Sequence, residues 1–166
     1  MTLETLLGYF AGEKAESVLF IAAGATALLA GLAFLVRGAP ILRGAAIPLI
    51  AVALIHLVVG GSVFSRTDAQ VRELVVQLEQ QPAAFKAEES ARMAVVNDNF
   101  DLYKQIEIAL VLAGLGMLAF GMQRARPLLA GAGCGLVFQA AFTLLLDFFA
   151  EARADAYTQA LMAMGT

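Results

Sequence analysis

The sequence has very few of the residues that common enzyme and cofactor sites use. Its 166 residues include one cysteine, one histidine and no tryptophan. The single cysteine, Cys134, excludes an internal disulfide and a dithiol redox mechanism, and we expect it to be buried among neighbouring glycines and unreactive. The single histidine, His56, excludes haem held by two histidines. The chain also lacks a Glu-x-x-His motif, so a standard dinuclear carboxylate site is not expected.

Charged residues are scarce as well, at 15% of the chain, whereas 60% of the residues are hydrophobic. Soluble domains usually contain about 45–50% apolar residues. A helix needs about 20 apolar residues to cross roughly 30 Å of hydrocarbon. Four such windows lie at 17–36, 44–64, 103–122 and 127–146. We therefore predict an all-α polytopic membrane protein, in which residues 1–166 form one antiparallel bundle of four transmembrane helices in contact with the lipid bilayer.

The polar segment 65–102, between the second and third windows, keeps a helical pattern of apolar residues. The spacing i, i+3, i+4, i+7 is met by Val71, Leu74, Val75 and Leu78. Pro82 then breaks the helix and suits the first turn of the next one. A seam with alternating spacings of four and three follows at Val96, Phe100, Tyr103, Glu107, Leu110 and Gly114. We therefore expect the second and third transmembrane helices to pack on each other and to extend into an extracytoplasmic helical hairpin.

The charges are distributed unevenly between the two sides of the predicted bundle. All 14 acidic residues lie away from two short connections that carry only basic residues, Arg37, Arg43, Arg124 and Arg126. Short loops rich in lysine and arginine stay in the cytoplasm. We therefore predict a bacterial inner membrane protein with both termini and the hairpin in the periplasm. The acidic exterior argues against nucleic acid as a partner.

Polar residues inside a transmembrane segment are costly and often functional. We measured depth from the cytoplasmic arginine of each span at 1.5 Å per residue, which places the polar residues of this chain roughly 20–32 Å above that level. Those on the last helix are spaced by four and share one face. The sequence therefore predicts a polar pocket in the outer half of the bundle, open to the outside and formed by His56, Glu107, Gln139, Thr143, Asp147 and Glu16.

Three chemistries would use this pocket, and the sequence does not decide whether any of them is enzymatic. A divalent Zn, Fe or Mn ion would suit a ligand set of His56, Glu107 and Asp147. A histidine–carboxylate pair would suit a proton relay, and the whole pocket would suit a small polar ligand. The structural alternative is a polar knot, in which His56 donates to Glu107 or Gln139 and fixes helix register.

A different class of function would use the hairpin 65–102. The protein would then be a non-catalytic membrane subunit or sensor that docks a membrane-complex partner or a second copy of itself. A continuous exposed apolar strip on the hairpin would favour docking. A third alternative, an oligomeric channel, needs a polar stripe that faces away from the bundle. The few charges within the spans argue against a voltage sensor or a wide hydrophilic pore.

Overall fold

The computed structural model describes residues 1–165, which form four long α-helices. These are α1 (Leu3–Arg37), α2 (Pro40–Gln80), α3 (Pro82–Gln123) and α4 (Pro127–Met162). Each helix is long and apolar enough to cross a membrane. Helices of 35 to 42 residues are about 50–65 Å long, so each one extends well beyond the hydrocarbon layer. The all-α class and the number of helices able to span a membrane are confirmed for the described residues.

Proline marks the beginning of three helices. Pro40, Pro82 and Pro127 are each the first residue of a helix, where the missing N–H costs nothing and the fixed φ favours the helix. Gln81 alone joins α2 to α3, as the predicted break at Pro82 requires. α1 begins differently, since the hydroxyl of Thr2 accepts a backbone N–H of the first turn at 3.2 Å.

Small residues bring three pairs of helices into close contact: α1 with α2, α2 with α4, and α4 with α3. A Cβ atom added at Gly60 of α2 would lie 2.7 Å from the Ser17 carbonyl oxygen of α1. One added at Gly135 of α4 would lie 2.7 Å from the Ala45 carbonyl oxygen of α2, and one at Gly114 of α3 would lie 2.8 Å from a side chain of α4. Such close approach holds helices together in lipid, where the hydrophobic effect does not.

The second and third helices make few contacts with each other, which differs from the expected packing along a shared seam. The reason is side-chain size. The α3 seam carries Phe100 and Tyr103, where the closely packed pairs carry glycine, so α2 and α3 stand apart. Its last residue, Gly114, packs on α4 instead. The other five seam residues line a cavity: Val96, Phe100, Tyr103, Glu107 and Leu110.

The two ends of the bundle differ in character. The connections that carry the arginines lie together, since Gly131 of α4 packs on the Ile41 backbone of α2; we call this the arginine end. At the other end, the acidic end, all four helices share a core that includes the stacked rings of Tyr9 and Tyr157, 4.2 Å apart. The apolar hairpin residues pack against this core and do not form a free strip: Val71, Leu74, Val75, Leu78, Val96 and Phe100.

Cys134 corrects one expectation. It is exposed on the outer surface of α4, whereas we expected it to be buried. Each helical residue is rotated by about 100° from the one before it. Because Gly133 and Gly135 both face the packed interior, the residue between them faces outward.

Candidate functional site

A cavity of about 860 Å³ lies between α2 and α3, with further walls from α1 and α4. It exists because α2 and α3 each pack on α4 and make little contact with each other. Its volume is within the range of roughly 300–1,000 Å³ that small-molecule sites occupy. The lining is mainly apolar and includes Val52, Ile55, Val59, Leu110 and Leu136.

The cavity reaches the outer surface of the bundle through the gap between α2 and α3. Three apolar side chains at its rim are strongly exposed: Ile55 at 58%, Val59 at 45% and Ile106 at 46%. They lie within the predicted spans 44–64 and 103–122. In a membrane, this part of the gap would therefore face hydrocarbon and not water.

Five of the six residues predicted to form the pocket line this cavity: Glu16, His56, Glu107, Thr143 and Asp147. The sixth, Gln139, does not line it. The Gln139 side chain is buried, and its amide donates to the Leu49 carbonyl oxygen at 3.4 Å, which links α4 to α2. Glu16 lies on the cavity wall but forms an ion pair with Arg153 on α4.

Hydrogen bonds fix the ring of His56, which is only 1% exposed. Nε2 lies 3.0 Å from Thr143 Oγ1, and the same hydroxyl donates to the Gln139 carbonyl oxygen at 3.0 Å. Because a hydroxyl has one proton, Nε2 must be the donor in the first bond. His56 therefore donates a hydrogen bond to Thr143, whereas the structural alternative had it donate to Glu107 or Gln139. Nδ1 of the neutral ring is left as a buried acceptor without a partner.

Glu107 of α3 and Asp147 of α4 both line the cavity and lie close enough for their carboxyl groups to interact, and we call them the carboxyl pair. A proton shared between two such carboxyls would leave the pair with one negative charge. Glu107 is 6% exposed, and no donor side chain of the described residues reaches its Oε2. Within residues 1–165, neither carboxyl forms a salt bridge. A charge held without a basic partner is costly at this depth.

The described part of the chain contains no group of three or more His, Cys, Asp or Glu side chains arranged to hold a metal ion. The geometry therefore adds nothing to the sequence-based prediction of a metal at His56, Glu107 and Asp147, which stays a prediction.

Ion pairs from three helices line the part of the cavity nearest the acidic end. Arg153 of α4 binds Glu16 of α1, and Arg66 of α2 lies 3.3 Å from Glu13 of α1. Burial raises the pKa of Glu13, and the positive charges of the nearby arginines oppose that rise. These bridges tie the first helix to both of its neighbours.

A third arginine on the cavity wall also has an acidic partner. Arg92 lies 2.6 Å from Glu89, which is 2% exposed and accepts a second hydrogen bond from the Tyr157 hydroxyl at 2.8 Å. Burial, and then the negative charge of Glu89, raise the pKa of Tyr157. Every arginine that lines the cavity is thus paired with an acid, whereas the carboxyl pair has no basic partner.

Sequence reasoning found the carboxyl pair but missed these arginines. It followed a row of four-residue spacings on α4, and such a row drifts by about 40° per step around a helix of 3.6 residues per turn. The cavity face follows spacings of both three and four, at Leu136, Ala140, Thr143, Asp147, Ala150 and Arg153. That pattern would have found Arg153. Arg66 and Arg92 give no such signal, because charges in a polar segment are usually solvated.

Comparisons with protein-family models, curated proteins and solved structures find no match for this chain. The interpretation of the site therefore depends on its own geometry and chemistry.

Proposed function

We propose that this multi-pass membrane protein binds a small ligand in the cavity between α2 and α3, through His56, Glu107 and Asp147. One observation carries the proposal: the cavity wall holds the carboxyl pair, which has no basic partner among the described residues. The unpaired Nδ1 of His56 supports it, because that atom is a second acceptor on the same wall. Thr143 would position His56 in the tautomer that leaves Nδ1 free to accept.

The size of the cavity favours a molecule over the other chemistries. A proton relay needs groups in a row at hydrogen-bond distance, and an apolar space of about 860 Å³ does not serve it. A metal ion would need a converging set of ligands, and residues 1–165 contain no such set. A polar knot would leave few buried polar atoms unpaired, whereas the His56 ring keeps an acceptor without a partner.

Docking through the hairpin 65–102 is less favoured by the geometry. The apolar residues that would form a docking strip pack partly against the acidic-end core. A partner would therefore meet mainly the charged and polar face of α2 and α3.

We also propose the orientation of the bundle. Its helices would run antiparallel in a bacterial inner membrane, with the arginine end in the cytoplasm and both termini and the hairpin in the periplasm. Cysteines introduced at Gly38 and Ala83 in a Cys134→Ser background test this arrangement. An impermeant thiol reagent should label intact cells at position 83 only. Labelling at position 38 only would reverse the orientation.

A fluorophore on the cavity wall tests whether the pocket admits a small molecule. The chain has no tryptophan, so Phe20→Trp would place a single indole on the cavity wall, where the Phe20 ring now lies 5.0 Å from the His56 ring. The side chain of Arg66, on the acidic-end part of the cavity wall, is 55% exposed, so this part of the cavity would open to water. Acrylamide, a small neutral quencher that dissolves in water, should enter there and quench this emission for protein held in a lipid nanodisc.

The matched control is Phe138→Trp, since Phe138 is 63% exposed, lies in a predicted span and does not line the cavity. Its emission should resist acrylamide because it faces lipid. Equal resistance of both variants would show a sealed site and would leave the polar knot as the better explanation.

A further inference from the structure

We propose that the ligand of this cavity is a lipophilic primary amine, with its ammonium group at the carboxyl pair and its hydrocarbon chain in the gap between α2 and α3. This inference rests on the proposed function and adds the chemical class of the ligand and its route of entry. Three features of the cavity lead to it: its unbalanced charge, its acceptors without donors, and its apolar opening.

The charge of the cavity wall calls for one positive charge. Each arginine on the wall already has an acidic partner, so these residues neutralise one another. Both members of the carboxyl pair line the cavity without a salt bridge among the described residues, so with one proton shared between them the pair would keep one negative charge. An anionic ligand would be repelled by this pair, and a neutral one would leave its charge uncompensated. A monovalent cation balances it.

Two hydrogen-bonding groups of residues that line this cavity are acceptors that lack donors among the described residues. Nδ1 of His56 and Oε2 of Glu107 are both buried and have no donor partner. Both side chains line the cavity. Both residues are more than nine-tenths buried. A primary ammonium group carries three N–H donors, whereas a quaternary ammonium group carries none. The cation that suits this wall is therefore a protonated primary amine.

The apolar gap explains why the amine should be lipophilic. The rim residues Ile55, Val59 and Ile106 are exposed, and they lie at a depth in the membrane where they would face hydrocarbon. A hydrocarbon chain that passes between these residues moves from one apolar environment to another. Only the head group of the ligand therefore has to leave the membrane interface. Because the hydrocarbon chain of the ligand gains little free energy from this transfer, selectivity for the ligand depends on its head group and the carboxyl pair.

Three amphiphiles with the same hydrocarbon chain separate the contributions of the positive charge, the N–H donors and the hydrocarbon chain. We would titrate dodecylamine, dodecyltrimethylammonium and dodecanol into Phe20→Trp protein in phosphatidylcholine nanodiscs and follow the tryptophan emission. All three partition into the bilayer, and Phe138→Trp reports that effect alone. Dodecylamine should give a saturable change in Phe20→Trp only, with an affinity about tenfold or more above that of the other two, since each lost hydrogen bond to a charged group costs at least that factor.

The carboxyl pair provides the specific test. Glu107→Gln combined with Asp147→Asn removes the negative charge and should lower the dodecylamine affinity at least tenfold, whereas Glu79→Gln, at an exposed glutamate outside the cavity, should leave it unchanged. Equal responses to all three amphiphiles, or equal binding of dodecyltrimethylammonium, would overturn the amine assignment. A site that acrylamide reaches but dodecylamine does not occupy would overturn this inference alone; a site that admits neither molecule would overturn the proposed function as well.

Discussion

Replacing Thr143 by valine should destabilise the fold through a single group. The hydroxyl of Thr143 accepts from His56 Nε2 at 3.0 Å and donates to the Gln139 carbonyl oxygen at 3.0 Å. Valine keeps the branched shape and removes only the hydroxyl. Both nitrogens of the buried imidazole would then lack partners, because Nδ1 has none already.

The expected magnitude follows from that bond. A hydrogen bond between transmembrane helices contributes about 0.6 kcal/mol on average and at most about 1.7 kcal/mol. A buried donor left without a partner costs about 1–3 kcal/mol. Thr143→Val should therefore lower the free energy of unfolding by about 1–2 kcal/mol, measured by reversible unfolding in sodium dodecyl sulfate with helix content as the signal. Thr143→Ser, which retains the hydroxyl, should cost clearly less.

A double-mutant cycle isolates the bond itself. In a His56→Phe background, Thr143→Val should cost less than in the wild type by about the value of the bond, roughly 0.6–1.7 kcal/mol. The reasoning would be refuted by a coupling energy of zero, or by Thr143→Val and Thr143→Ser having equal effects. Either result would mean that the hydroxyl does not hold the imidazole.

Three further predictions use the same unfolding measurement. Gly135→Val should cost about 1–3 kcal/mol, because a Cβ there lies 2.7 Å from the Ala45 carbonyl oxygen, whereas Gly116→Val, which enters open space, should have little effect. Tyr157→Phe should cost about 1.5–3 kcal/mol, since it removes a buried hydrogen bond to the charged Glu89. The pKa of Tyr157 is raised in the folded chain, so above pH 10 the folded chain keeps the phenol proton while the unfolded chain loses it. The free energy of unfolding of the wild type should therefore fall above pH 10 by up to about 1.4 kcal/mol per pH unit. That extra slope should be missing in Tyr157→Phe.

Much of the fold could be predicted because it depends on local pattern. Apolar windows of about 20 residues are readable along a single helix, and so is the proline that begins a new one. Depth along a helix is equally local, at 1.5 Å per residue. Counting residues from the arginines next to the spans, together with the four-residue spacing on α4, therefore selected six side chains, five of which line one cavity.

The order in which helices pack is not local, and the sequence-based prediction was less accurate there. Contact between helices requires small residues at matching heights on two separate segments, such as Gly135 on α4 opposite Ala45 on α2. The spacing along α3 indicated which face turns inward, but it did not show that Phe100 and Tyr103 would hold α2 at a distance. The cavity and the hydrogen bond that His56 donates to Thr143 depend on that separation and on α4 packing against both α2 and α3.

The central claim is that Glu107 and Asp147 hold a shared proton on a cavity wall that small molecules can reach. Dicyclohexylcarbodiimide tests it most directly, because this apolar reagent reacts with protonated carboxyl groups. After treatment of the protein in lipid, peptide mass spectrometry should find the adduct on Glu107 or Asp147 and none on the exposed Glu79. An unlabelled carboxyl pair, or labelling of Glu79 to the same extent, would contradict the account.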